Sequence, residues 1–282
     1  MHVDGIVRRA RRPRGWIAPG PPPRTPADRA DIWPAAGEDL CFLAGEWRIL
    51  QKLDGHRWSL DDLATAWWAA RLPQAPPARV VDFGCGIGTV LLLLAWRFPE
   101  AHLTGIEAQE ASVRLARRSV AFNGTEDRCA VRLGDFRDPA VRRALGPADL
   151  VTGTPPYLPP GTGTESSRPQ CGPCRFEHRG GAEDYAQAAA ELLAEHGVFV
   201  ACAAARQHER VASAADAVGL VLDTWRDVVP REGKAPLLAV YSMRRPAAAE
   251  ARDPEPPLVV RDRRGRWTAE FAALRREMGL PA

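Results

Sequence analysis

Long hydrophobic runs are missing from this 282-residue sequence. No stretch reaches eighteen apolar residues, the longest candidate being Val90 to Ala95, so no membrane-spanning helix is expected. The start lacks the apolar stretch of a secretory signal. Arg8, Arg9, Arg11 and Arg12 give it the arginine-rich, acid-poor character of an organelle transit peptide, kept here as the alternative to a cytoplasmic location. Lysine is scarce too: only Lys52 and Lys234 occur among 38 basic residues, so a preference for arginine at any one place need not mark a bidentate phosphate contact. The six cysteines form no disulfide framework, Cys85 and Cys202 falling in a glycine-rich loop and an expected strand, which fits a reducing compartment. Cys171-Gly172-Pro173-Cys174 has the spacing of half a zinc site, but no second pair follows and His178 alone leaves a tetrahedral site short. It reads as a turn in a long loop, and no metal is expected.

What is present is enough for one large α/β domain with decorated ends, 45% of the residues being hydrophobic. Residues 1–37 are rich in proline and arginine and read as a flexible or polyproline arm. Residues 38–78 read as a helical lead-in, with a helix capped near Ser59 that stops before Pro73. From 79 to 245 short apolar runs alternate with amphipathic segments: Val80–Asp82, Thr89–Arg97, His102–Glu107, Glu110–Phe122, Ala130–Leu133, Pro139–Leu145 and Ala148–Thr152. After a long irregular stretch come a helix over Glu183–Glu195, a strand over Val198–Ala203, a helix over Arg206–Val218 and a closing pair over Gly219–Trp225 and Leu237–Met243. The expectation is a Rossmann-like sheet of about seven mostly parallel strands with helices on both faces, followed by a C-terminal extension over 246–282.

In such sheets ligands bind beyond the carboxyl ends of the strands, where strand order reverses. Asp82-Phe83-Gly84-Cys85-Gly86-Ile87-Gly88 follows the first strand, Glu107 ends the second, Asp135 and Phe136 follow the third, and Thr154 follows the fourth. A dinucleotide fingerprint needs glycine at position 89, which is Thr89, so a pyrophosphate cradle is disfavoured. Glycine at every second residue suits S-adenosylmethionine (SAM), with Asp82, Gly84, Cys85, Gly86 and Gly88 forming the loop. Glu107 would accept from the ribose hydroxyls, Asp135 from the adenine amino group, and Phe136 would pack on the ring.

Thr154-Pro155-Pro156-Tyr157 then stands where a methyl acceptor must sit. An exocyclic amino nitrogen on an aromatic base is a poor nucleophile, because its lone pair is delocalised into the ring. Two acceptors aimed at its hydrogens, with a ring stacked on the base, localise that pair. Proline holds its own φ and brings no competing N–H, and Tyr157 supplies the stacking ring.

With these residues the chain resembles the class I SAM-dependent methyltransferases, and more narrowly the bacterial tRNA adenine N6-methyltransferases that modify the adenosine next to the anticodon of a valine tRNA. The resemblance is carried by Gln51 to Asp61, by the Asp82 to Gly88 loop, by Asp135 and by Pro155-Pro156-Tyr157. Phe176-Glu177-His178, Gly233-Lys234-Ala235-Pro236 and Arg261 to Thr268 extend it, so that it spans roughly residues 45 to 278. It implies methyl transfer to adenine N6 in structured RNA, with Thr154, Pro155, Pro156 and Tyr157 forming the base pocket. Arg57 and the arginines at 261, 263, 264 and 266 are candidates for phosphate contacts.

Thr154 departs from the family, whose motif begins with Asn or Asp; a hydroxyl is shorter and both donates and accepts. Residues 159–181 depart as well, being long enough for a substrate-facing loop. Two other readings stay open: methylation of a protein glutamine amide, and a SAM- and RNA-binding protein that has lost catalysis through Thr154. The sequence sets no oligomeric state.

Overall fold

The computed structural model describes residues 4–9, 12–156, 177, 180–249 and 253–282. Its centre is one sheet of eight strands. These are β4 (Arg79–Phe83), β5 (His102–Glu107), β6 (Cys129–Leu133), β7 (Ala148–Gly153), β8 (Leu193–Ala204), β9 (Val221–Val229), β10 (Leu238–Arg244) and β11 (Glu255–Val259). They lie in the order β11-β9-β10-β8-β7-β4-β5-β6. Only β10 runs against its neighbours. A continuous apolar run such as Val198-Phe199-Val200-Ala201-Cys202-Ala203-Ala204 in β8 is what a sheet covered on both faces demands.

Helices α2 (Thr89–Arg97) and α3 (Glu110–Phe122), with α1 (Leu60–Arg71), belong to one core cluster that includes Leu91, Leu93, Trp68 and Val120. Helices α5 (Ala182–Leu192) and α6 (His208–Ala217) pack with the short α4 (Pro139–Arg143) on a second cluster that includes Phe83, Tyr185 and Tyr241. The layers are those of a doubly wound fold. From β4 the chain runs outward to β5 and β6, then returns to β7 on the other flank of β4. The order therefore reverses between β4 and β7.

Several expectations are corrected. The sheet has eight strands, because residues from the C-terminal extension add β11 parallel to β9. The lead-in is not simply helical: β2 (Glu38–Phe42) and β3 (Arg48–Lys52) form an antiparallel hairpin ahead of α1, joined by the short β1 (Ile6–Val7). Nor does the proline-rich arm hang free where it is described. The Gly5 and Arg8 amides donate to the carbonyls of Pro34 and Leu40, Arg24 N to Asn123 O, and Trp47 Nε1 to Pro21 O. Proline prevents regular structure in the arm but leaves its carbonyls available to distant donors. α5 ends at Leu192, earlier than expected, and β8 begins at once at Leu193. Each of these partners lies far away in sequence, out of reach of local periodicity.

The start of α1 follows its sequence signal. The Ser59 amide donates to Asp62 Oδ2 at 2.9 Å, satisfying an N–H at the helix start. Among the described residues no helix is long and apolar enough to cross a membrane.

Candidate active site

At the reversal point a cavity of about 820 Å³, open to solvent, lies beyond the ends of β4, β5 and β7. Its lining includes Gly84, Cys85 and Gly86 after β4, Glu107 at the end of β5, Asp135 and Phe136 after β6, and Thr154 and Pro156 after β7. Residues separated by up to 72 positions thus share one space only because parallel strands bring their carboxyl ends to the same edge.

The loop is held from behind. Cys85 N donates to Ile106 O at 3.0 Å and Gly88 N to Cys85 O at 2.8 Å. Gly84 and Gly86 have φ of +60° and +55°, which side-chain-bearing residues rarely adopt. A Cβ on Gly84 would run into the Tyr185 hydroxyl, whereas one on Gly86 would meet only open space. Glu107, 6% exposed, clamps the assembly: Oε2 accepts from Gly86 N at 3.0 Å and Oε1 from Gln109 N at 2.6 Å.

Asp82 lies beneath the cavity rather than in its lining. It is buried, and Thr152 Oγ1 donates to its Oδ1 at 2.8 Å. Burial pushes its carboxyl up to about 7, against the hydrogen bond from Thr152 and with Glu107 adding repulsion. Burial, then the charge of Asp82, also pushes the Cys85 thiol well above its usual range, which keeps it protonated.

On the third-strand side, Asp135 is paired with Arg137 at 2.6 Å. The Phe136 ring stacks on Phe83 at 5.0 Å and meets Tyr185 at 4.3 Å. Gly88 and Pro155 are absent from the lining; Pro155 instead borders a separate apolar cavity of about 260 Å³ with Tyr241 and Met243. Tyr157, Cys171 and Cys174 lie outside the described residues, as does most of the 159–181 segment.

Arg57 is engaged elsewhere. Its Nη1 and Nη2 donate at 3.0 Å to the two oxygens of Asp39, a fully buried carboxylate that also accepts from Arg8. The Asp39 carboxyl sits below its usual range, burial raising it but being outweighed by Arg57 and Arg8. Among the described residues no group of His, Cys, Asp and Glu is arranged to hold a metal ion.

Sequence reasoning missed His56, Asp61, Asp62, Gln109 and Tyr185, all of which line the cavity. The acidic pair at the start of α1 was a signal, since two adjacent carboxylates exceed what one cap requires. Asp62 is raised well above the usual carboxylate range, first by burial and then by Asp61. Tyr185 gave no signal, because an aromatic on a helix's buried face is ordinary packing.

Residues 56–162 match the family model described as the methyltransferase small domain. The tRNA1(Val) (adenine(37)-N6)-methyltransferase of Porphyromonas gingivalis is 33% identical over 94 residues, 32% of this chain and 37% of the relative. The chain thus matches little more than a third of that protein's length. The enzyme of the same name from Tolumonas auensis is 27% identical over 212 residues, 74% of this chain and 84% of the relative. A release factor glutamine methyltransferase of Rhodospirillum rubrum is 36% identical over 81 residues, 29% of this chain and 24% of the relative. Among solved structures, a predicted O-methyltransferase from Agrobacterium tumefaciens superposes with a TM-score of 0.59 at 19% identity, covering 78% of this chain and 98% of that one. Residues 56–162 are therefore similar to the methyltransferase small domain, and the chain shares its fold with the Agrobacterium tumefaciens protein.

Proposed function

We propose that this chain moves the methyl group of SAM to an exocyclic amino nitrogen, adenine N6 in structured RNA such as a tRNA. The observation that carries the reading is that Thr154 and Pro156 line the same cavity as Gly84, Gly86 and Glu107. Acceptor-side and cofactor-side residues therefore face one space.

The cavity suits the cofactor chemically. SAM bears a sulfonium and an ammonium against one carboxylate, and Asp61, Glu107 and Asp135 give the lining a matching acidic character. Open space over Gly86 admits a ligand against the backbone. Glu107 and Asp135, both in the lining, would accept from the ribose hydroxyls and from the adenine amino group. When bound, SAM supplies an electrophilic methyl on a positively charged sulfur.

The protein's task is then to aim the acceptor nitrogen. The Thr154 hydroxyl, at the cavity wall, would accept one amino hydrogen, and the Pro155 carbonyl is assigned the other by its sequence position, the two drawing the lone pair out of conjugation and toward the methyl. As the N–C bond forms, the S–C bond breaks and its electron pair stays on sulfur. The surplus proton on nitrogen leaves to water. Tyr157 is assigned the stacking role by its sequence position.

Purified protein incubated with labelled SAM and total tRNA is expected to incorporate methyl groups recovered as N6-methyladenosine. Normal SAM binding with tRNA and rRNA left unmodified would sink the RNA reading. The similarity to a glutamine methyltransferase supports a second reading, amide methylation of a protein. A methyl missing from release-factor glutamine in a deletion strain would favour it. Activity appearing only after Thr154→Asn would point to a degenerate enzyme.

A further inference from the structure

Resting on the adenine-in-RNA reading, we infer that the exposed loops over 231–236 and 261–267 form the docking face for the RNA backbone, beside the mouth of the cavity. The sheet register places them there. Phe83 pairs with Gly153, Gly153 with Ala201, Ala204 with Leu238, Leu238 with Val228, and Val229 with Val259. The loops that follow β9 and β11 therefore leave the same edge of the sheet as Gly84 and Thr154. From β7 there are three strand steps to β9 and four to β11. At ~4.8 Å per step that is roughly 15 to 20 Å, a span of a few nucleotides from a base turned into the cavity.

The two loops act as one preformed surface. Glu232 N donates to Arg261 O at 2.8 Å, Asp262 N to Arg266 O at 2.8 Å, and Arg261 bridges to Trp267. The Arg275 guanidinium lies 3.8 Å from the centre of the Trp267 ring, fixing the base of the turn. Arg231, Lys234, Arg261, Arg263, Arg264 and Arg266 are all exposed, against the acidic Glu232 and Asp262. Those two acids pair with Arg263 and Arg266. Among the described residues Arg231, Lys234 and Arg264 have no ion-pair partner. Half the chain's lysine is here, and the excess of positive charge in this one patch exceeds the net +3 of the whole protein. Arg275 is itself lowered, by burial and then by the neighbouring Arg261, a crowding of like charge that a polyanion would relieve.

Three of the other basic candidates, Arg8, Arg12 and Arg57, are engaged within the fold. Arg8 and Arg57 pair with the buried Asp39, and Arg12 pairs with Glu46 at 2.6 Å and lies over Phe42.

The test is a protein carrying Arg231→Ser, Lys234→Ser and Arg264→Ser together, with Arg114→Ser as control. Arg114 lies on α3 and lines a separate cleft with β6 at the far edge of the sheet. Binding of an unmodified valine-tRNA transcript is followed by fluorescence anisotropy across a salt series, and SAM binding by calorimetry. The triple variant should bind the transcript at least about tenfold more weakly, with the slope of log affinity against log salt reduced by about two to three. SAM affinity should be unchanged. Wild-type binding of the transcript with an unaltered triple variant, or an equal loss from Arg114→Ser, overturns the docking face and leaves the adenine reading standing. A wild-type protein that neither binds nor methylates any tRNA or rRNA takes both down.

Discussion

The two walls of the cavity are built differently. On the cofactor side, backbone and carboxylate lock one another: Gly86 N and Gln109 N both donate to Glu107, and Cys85 N donates to Ile106 O. On the acceptor side, Thr154 and Pro156 follow β7 as it leaves the sheet, past the last residue that pairs with β4. A loop that must hold one constant ligand is preorganised by its own hydrogen bonds, whereas Thr154 and Pro156 lie beyond the sheet's ladder of backbone bonds.

The largest effect expected from breaking this contrast concerns Asp82, buried under the rigid wall. Its folded-state pKa of about 7 exceeds the ordinary aspartate value of 3.8, so the folded protein binds more protons than the unfolded chain between those values. Stability from this group is therefore lost as pH rises through that window. Relative to Asp82→Asn, the wild type without ligand should lose about 3 kcal/mol of unfolding free energy from pH 5 to pH 8. Denaturant titrations at both values check it, and parallel pH profiles for the two proteins would refute it.

Glu107→Ala comes next, because it removes both the ribose acceptor and the clamp on Gly86. SAM affinity by calorimetry should fall about 100-fold, equivalent to roughly 2.7 kcal/mol. A loss under about threefold would show that the loop holds itself without the carboxylate.

Gly84→Ala forces a side chain into a left-handed conformation and against Tyr185. It should destabilise the protein by about 2 kcal/mol, read as a lowered unfolding midpoint. At Gly86, where a Cβ meets only open space, the same change should cost about 1 kcal/mol and act mainly on cofactor affinity. Equal effects at the two positions would erase the distinction drawn between them.

A modest effect on rate sharpens the acceptor wall. Thr154→Ala removes one acceptor for the amino hydrogens and should lower kcat about tenfold, or roughly 1.4 kcal/mol, with SAM affinity within about twofold of wild type. A variant as fast as wild type would remove Thr154 from the reacting centre.

Much of the central frame was legible because it depends on short-range pattern. Val80-Val81, the glycines at every second residue and Glu107 after an apolar run each announce a strand end in a parallel sheet. The proline-rich segment was misread as free for the opposite reason. Its anchors, such as Asn123 and Trp47, are side chains and carbonyls many residues away, and proline content speaks only to local conformation. Arg57 reads in sequence like any basic surface residue; what commits it is a carboxylate eighteen positions upstream that folding buries.

By itself the sequence determined the strand and helix alternation, the carboxylates and glycines available at the strand ends, and the composition of the acceptor tetrapeptide, since all of these follow from local periodicity and residue chemistry. Only the tertiary structure decided that Asp61, Asp62 and Tyr185 complete the cavity, that Asp82 lies beneath it, and which arginines reach solvent. Those outcomes depend on burial and on charge partners brought together across the whole chain, which no single stretch of residues encodes.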